Sequence, residues 1–127
     1  MFPLFYTPVE PVLLDSTQSV NETSENRTAT FSCIAAGYPE PDVVWLRNGS
    51  LAYIPGISSR ESVMINSNIT SPLNNRSDIT IAVNSTLVVR NLLLKDSGDY
   101  SCRVDPAVLD KGRAYPSPSL TLHVQPG

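Results

Sequence analysis

Residues 96–102 read "DSGDYSC". A carboxylate, a glycine, a phenol and a thiol stand at every second position: Asp96, Gly98, Tyr100 and Cys102. Acid, phenol and thiol this close together could be chemistry, or they could be the scaffolding of a fold that performs none. Side chains of a β-strand alternate between its two faces, so a strand here puts Tyr100 and Cys102 on one face and Ser101 and Arg103 on the other. The choice between the two readings depends on what surrounds the stretch.

Working outward, short β-branched and apolar segments alternate with turn residues, and no 3.6-residue apolar period persists for three turns. "TATFSCIA" (28–35) sets Ala29, Phe31 and Cys33 against Thr28, Thr30 and Ser32. "DVVWLRNG" (42–49) is a short strand closed by Asn48-Gly49, a strong turn signal. "STLVVRNL" (85–92) puts Leu87 and Val89 on one face, and "SLTLHV" (119–124) does the same with Leu120, Leu122 and Val124. "SVMINSNITS" (62–71) and "SDITIAV" (77–83) read as strands around the loop "PLNNR" (72–76), which predicts an extra edge strand or hairpin between Ile54 and Asn84. The Pro-rich start, with Pro3, Pro8 and Pro11, reads as an edge strand or tail. Seven or more such strands predict an all-β sandwich.

The 127 residues favour one domain, expected over 9–125, with 1–8 a tail or expression remnant and 126–127 a linker. A net charge of −3 without a basic stripe argues against nucleic acid or an anionic membrane as partner. No apolar run approaches the ~18 residues of a membrane span. "MFPLFYTPVEP" lacks the basic n-region of a signal peptide, so the chain is expected to be a soluble piece of something longer. Two cysteines, Cys33 and Cys102, allow either free core thiols or one disulfide.

The compartment is indicated by Asn-x-Ser/Thr sequons at Asn21, Asn26, Asn48, Asn68, Asn75 and Asn84. Nine Asn and 25 Ser or Thr predict roughly two by chance, so six imply a glycosylated protein outside the cell, with each acceptor at the surface.

Trp45 follows Cys33 by 12 residues and precedes Cys102 by 57. With "FSCIAAGYPEPDVVWLRNG" (31–49) and "STLVVRNLLLKDSGDYSC" (85–102), this spacing resembles the immunoglobulin superfamily, of I-set or V-like type, from about residue 9 to residue 125. The resemblance implies a Greek-key sandwich of two antiparallel sheets. In it a Cys33–Cys102 bridge joins the sheets, Trp45 covers the bridge, Leu87 joins the core, and Tyr100 forms a tyrosine corner. It also implies that Asp96 pairs with an arginine near the start of the fourth strand. Arg76, 20 residues earlier, is the first candidate and Arg60 the second.

Enzyme readings find no support. Strand parity turns the single histidine, His123, outward, and no carboxylate–histidine–nucleophile arrangement surrounds it. Glu40 and Asp42 flank Pro41 in a turn. No zinc spacing, calcium loop or phosphate-cradling glycine loop is present, and no cofactor or metal is expected. "LLDS" (13–16) matches acidic integrin-recognition motifs over only four residues of an edge strand.

Function is therefore expected on an exposed face. If Trp45 and Cys102 face in, then Val44, Leu46, Ser101 and Arg103 face out on one sheet, none of them a sequon asparagine. The neighbouring loop "DPAVLDKGRAYPS" (105–117) adds Asp110, Lys111, Arg113 and Tyr115. The reading is an extracellular, non-enzymatic recognition domain of a cell-surface receptor or adhesion molecule. Its expected partner is another cell-surface or secreted protein, a copy of itself included. The alternatives are a ligand-binding or spacer domain of a receptor tyrosine kinase ectodomain, or a spacer in a tandem array.

Overall fold

Alternation is plainest in the strand β3, Ala29–Tyr38, where Ala29, Phe31, Cys33 and Ala35 are fully buried between half-buried neighbours. β3 lies inside a four-stranded antiparallel sheet, flanked by β1 (Val9–Gln18) and β7 (Thr80–Val89), with β6 (Glu61–Thr70) beyond β7. The second sheet runs β2 (Glu22–Ser24), β10 (Leu120–Gln125), β8 (Gly98–Asp105), β4 (Asp42–Arg47) and β5 (Ser50–Leu51). The two-residue strand β9 (Tyr115–Pro116) pairs with β8. This computed structural model describes residues 9–70, 79–105, 115–116 and 118–127. Among them no helix is long and apolar enough to cross a membrane; the helical content is one 3-10 turn, Leu94–Asp96.

The expected all-β sandwich is thus observed, and the Cys33–Cys102 disulfide joins β3 of one sheet to β8 of the other. Closing a loop of 69 residues confers about 4 kcal/mol in the chain-entropy account, by restricting the unfolded chain. Around the bridge, Phe31 stacks on Tyr100 at 4.2 Å between centroids and meets Trp45 at 6.3 Å. Leu87, Val89, Leu92, Leu122 and Val124 complete the core.

The N-terminal strand is an edge, and its proline sits where an edge tolerates one: the β1–β3 register shifts between Val9 and Val12, around Pro11. There β1 passes so close to β3 that a Cβ on Gly37 would lie 2.9 Å from the Pro11 Cα.

One sequence expectation changes. "SDITIAV" and "STLVVRNL" are not separate strands, because Thr80–Val89 is one continuous strand. Ser85 shares the inward parity of Leu87 and Val89; its side chain is buried, and its Oγ accepts the Trp45 Nε1–H at 3.0 Å. The predicted extra hairpin is β6–β7, paired without interruption from Glu61↔Val89 to Thr70↔Thr80. "PLNNR" lies outside the described residues, as do residues 1–8.

Candidate recognition face

The opening stretch is built as a fastening. Tyr100 donates its Oη–H to the Asp96 carbonyl at 2.7 Å, closing the corner between the 3-10 turn and β8. The Asp96 carboxylate is fully buried. It accepts the Leu93 N–H at 2.7 Å, Arg60 Nη1 at 2.8 Å and Nη2 at 3.3 Å, and Arg47 Nη1 at 3.4 Å. Arg60 fills the role first expected of Arg76, which lies outside the described residues. The reason is placement. Arg60 immediately precedes β6, and its guanidinium also donates to the Arg90 and Asn91 carbonyls, so it bridges the β6 start and the β7–β8 turn. Burial pushes the Asp96 carboxyl up, but the Arg60 and Leu93 hydrogen bonds and the charges of Arg60 and Arg47 outweigh it and hold it below the ordinary carboxylate range. The hydrogen bond to Asp96 correspondingly raises Arg60. Burial raises the Tyr100 hydroxyl, which therefore stays protonated as a donor.

Gly98, at φ +150°, starts β8 where a Cβ would come within 2.8 Å of the Asn48 side-chain amide. Asn48 continues the ladder: its backbone N–H donates to the Asp99 carbonyl at 2.8 Å, and its side-chain Oδ1 accepts the Asp99 N–H at 2.9 Å. The cluster thus holds a corner, and among the described residues no buried side-chain nitrogen or oxygen lacks a hydrogen-bond partner.

The outer face of the second sheet is different. Val44 lies directly opposite Arg103 and Leu46 opposite Ser101 across the β4–β8 ladder, so the four expected residues form one patch. All four are half-buried. β5 does not cover the patch. It is two residues long and adds Leu51, opposite Leu46 and 56% exposed. Sequence reading missed Leu51, although a turn at Asn48-Gly49 followed by a paired strand implies it. It also missed the Arg103 counter-ion, Asp105, at 3.0 Å, which shares the face two residues on. Asp105 makes the rim of the patch a neutral ion pair. His123 and Thr121 are exposed on the same sheet, with His123 Nδ1 3.6 Å from Glu22. Tyr115 lies in β9, its backbone opposite Val104, while Asp110, Lys111 and Arg113 lie outside the described residues.

Sequon positions divide by sheet. Asn84 and Asn68 are exposed on β7 and β6, on the outer face of the four-stranded sheet. Asn21 and Asn26 occupy turns before and after β2, and Asn48 the β4–β5 turn, all exposed. Asn26, at φ 69°, donates its backbone N–H to the Leu92 carbonyl. Asn75 lies outside the described residues. Among the described residues, no sequon asparagine lies within a strand of the second sheet.

Comparison with known proteins places this arrangement. The model of the immunoglobulin domain family matches residues 10–106. Mouse (Mus musculus) hemicentin-2 is 28% identical over 88% of the chain, and mouse hemicentin-1 is 28% identical over 80%. The chain spans only 2% and 1% of the lengths of these relatives. Among solved structures, the complex of titin M10 with the obscurin-like 1 immunoglobulin domain superposes with a TM-score of 0.64 at 19% identity, covering 95% of this chain and 98% of that one. Extracellular domains 3–5 of Drosophila OTK superpose with a TM-score of 0.55 at 18% identity, covering 94% and 32%. With its bridge, its covering tryptophan and its corner tyrosine in place, the chain belongs to the immunoglobulin domain family.

Proposed function

We propose that this domain is an extracellular, non-enzymatic recognition module that binds another protein through the outer face of its β4–β8 sheet. The observation that carries the reading is the patch of Val44, Leu46 and Leu51 beside Ser101 and the Arg103–Asp105 pair. An apolar centre with a polar rim is the anatomy of a protein contact surface. The sequon pattern supports it. Glycans on Asn68 and Asn84 cover the opposite sheet, whereas Asn48 stands in the β4–β5 turn, at the rim of this face rather than within its strands. The disulfide and the sequons together favour an oxidising, extracellular setting.

The test is a binding screen of the glycosylated domain, displayed as a multimer, against arrayed cell-surface and secreted ectodomains, its own included. Hits are re-measured with Leu46→Asp and Arg103→Glu, and with Met64→Glu on the other sheet as control. The face variants are expected to lose at least about tenfold in affinity, since an interface centre concentrates the binding energy, while the control binds as wild type. Binding that survives both face substitutions overturns the proposal. A second reading, a spacer in a tandem array, is favoured by the small fraction of the hemicentins that the chain spans. A screen without hits supports it.

A further inference from the structure

The two outer strands of the four-stranded sheet are built differently. β1 carries the usual devices that stop an edge from recruiting another strand: Pro11, two register irregularities against β3, and the charge of Asp15. β6 carries only a charge at its first residue, Glu61. It is ten residues long, pairs with β7 without a bulge, and between Ser62 and Thr70 holds no proline and no charged residue. Every residue from Met64 to Ile69 is exposed, with Met64 at 57%, Ile65 at 59% and Ile69 at 71%. A neutral, β-branched, proline-free edge of this length is a template for pairing.

One register makes the edge complementary to itself. A continuous face requires that residues of the same parity meet. An antiparallel pair centred on Ser67 sets Ile65 of each copy against Ile69 of the other, on the face shared with Val83 and Leu87, and sets Asn66 against Asn68 on the outer face. Glu61, the only charge of the strand, stays outside the paired span, so no like charges meet. The inner face is open there because the facing sheet ends at Leu51.

β6 also holds a sequon, Asn68-Ile69-Thr70, whose asparagine is exposed on the outer face. In the pair just described, Asn68 stands opposite the second copy's Asn66, where Cβ atoms lie about 4.5–5.5 Å apart. A branched sugar on each Asn68 would have to share that space.

We propose that an N-glycan on Asn68 guards the outer edge of β6, which no other described strand pairs, and that without it β6 pairs antiparallel about Ser67 with β6 of a second copy. The inference rests on the extracellular, glycosylated reading above and adds a role for one of its sugars. The protein is secreted from a glycosylating eukaryotic host, and glycopeptide mass spectrometry reads occupancy site by site. Sedimentation then follows wild type, Asn68→Gln and the double variant Asn68→Gln/Ile65→Lys over a concentration range, with circular dichroism and an intact disulfide as folding controls. The expected result is an occupied Asn68 and a monomeric wild type. Asn68→Gln shifts with concentration toward twice the monomer mass, and the inward lysine returns it to monomer. Adding Leu46→Asp to Asn68→Gln leaves the dimer intact, which separates this edge from the recognition face. An unoccupied Asn68 beside other occupied sequons overturns the guard while leaving the glycoprotein reading standing. So does an Asn68→Gln protein that stays monomeric, or a dimer that the lysine does not disrupt.

Discussion

Removing Arg60 tests the account of the β7–β8 corner most directly. Arg60→Ala deletes two hydrogen bonds to Asp96, at 2.8 and 3.3 Å, and two to the Arg90 and Asn91 carbonyls, each at 3.3 Å. The fully buried carboxylate keeps only the Leu93 N–H and the longer contact to Arg47. Breaking a buried pair on one side costs about 3–5 kcal/mol. The residual partners, and the 22% exposure of Arg60, place this case at the lower end, about 3 kcal/mol. That is a large part of the 5–15 kcal/mol, roughly, that holds a domain folded. Arg47→Ala removes one 3.4 Å contact from a side chain 34% exposed and is expected to cost about 1 kcal/mol or less. The pH dependence follows from the same partners. In the wild type, burial is outweighed and the folded-state pKa of Asp96 lies below the unfolded one. Its stabilisation is therefore complete above the unfolded value of about 3.9 and is lost as pH falls through the lower folded-state value. In Arg60→Ala burial meets weaker opposition, the folded-state pKa rises, and ionisation stabilises little or not at all. The gap between the two proteins is widest at pH 7 and narrows as pH drops below about 4. Urea unfolding with the disulfide intact, at pH 7 and again in acid, measures it. Equal costs for Arg60→Ala and Arg47→Ala, a loss under about 1 kcal/mol, or a gap that ignores pH would each refute the assignment of Arg60 as the partner that matters.

Two further substitutions probe neighbouring contacts. Gly98→Ala forces a Cβ to within 2.8 Å of the Asn48 amide at φ +150° and is expected to cost about 1–3 kcal/mol. The steric part disappears in an Asn48→Gly background, so a double-mutant cycle by urea unfolding should show coupling, and equal costs in both backgrounds would exclude Asn48 as the obstacle. Ser85→Ala leaves the buried Trp45 Nε1–H without its acceptor and is expected to cost about 1–3 kcal/mol, yet it preserves the Asn84-x-Thr86 sequon. Thermal unfolding followed by the fluorescence of the single tryptophan reads this, and an unchanged midpoint would refute the buried bond.

Legibility followed the range of the interaction. The inward faces of β3, β8 and β10 were readable from alternation, because burial of one face writes a period of two into the strand itself. The Val44–Arg103 and Leu46–Ser101 patch was readable for the same reason, being the other half of that alternation. The Ser85–Trp45 bond was not legible, because parity places Ser85 inward but no local period records an indole partner 40 positions away. Arg76 and Arg60 were equally eligible by residue type, and the Asp96 contact that is observed comes from Arg60, which spacing ranked second.

By itself, then, the sequence determined which residues face inward and where sugars can be attached. These are properties of a strand and its neighbours in the chain. The tertiary structure alone decided that Asp96 is held by arginines 36 and 49 positions away, and that Trp45 meets a serine 40 positions on. It alone decided that β5 stops after two residues, leaving Leu51 and the inner face of β6 exposed. Those outcomes depend on how far one sheet extends over the other, which no local periodicity records.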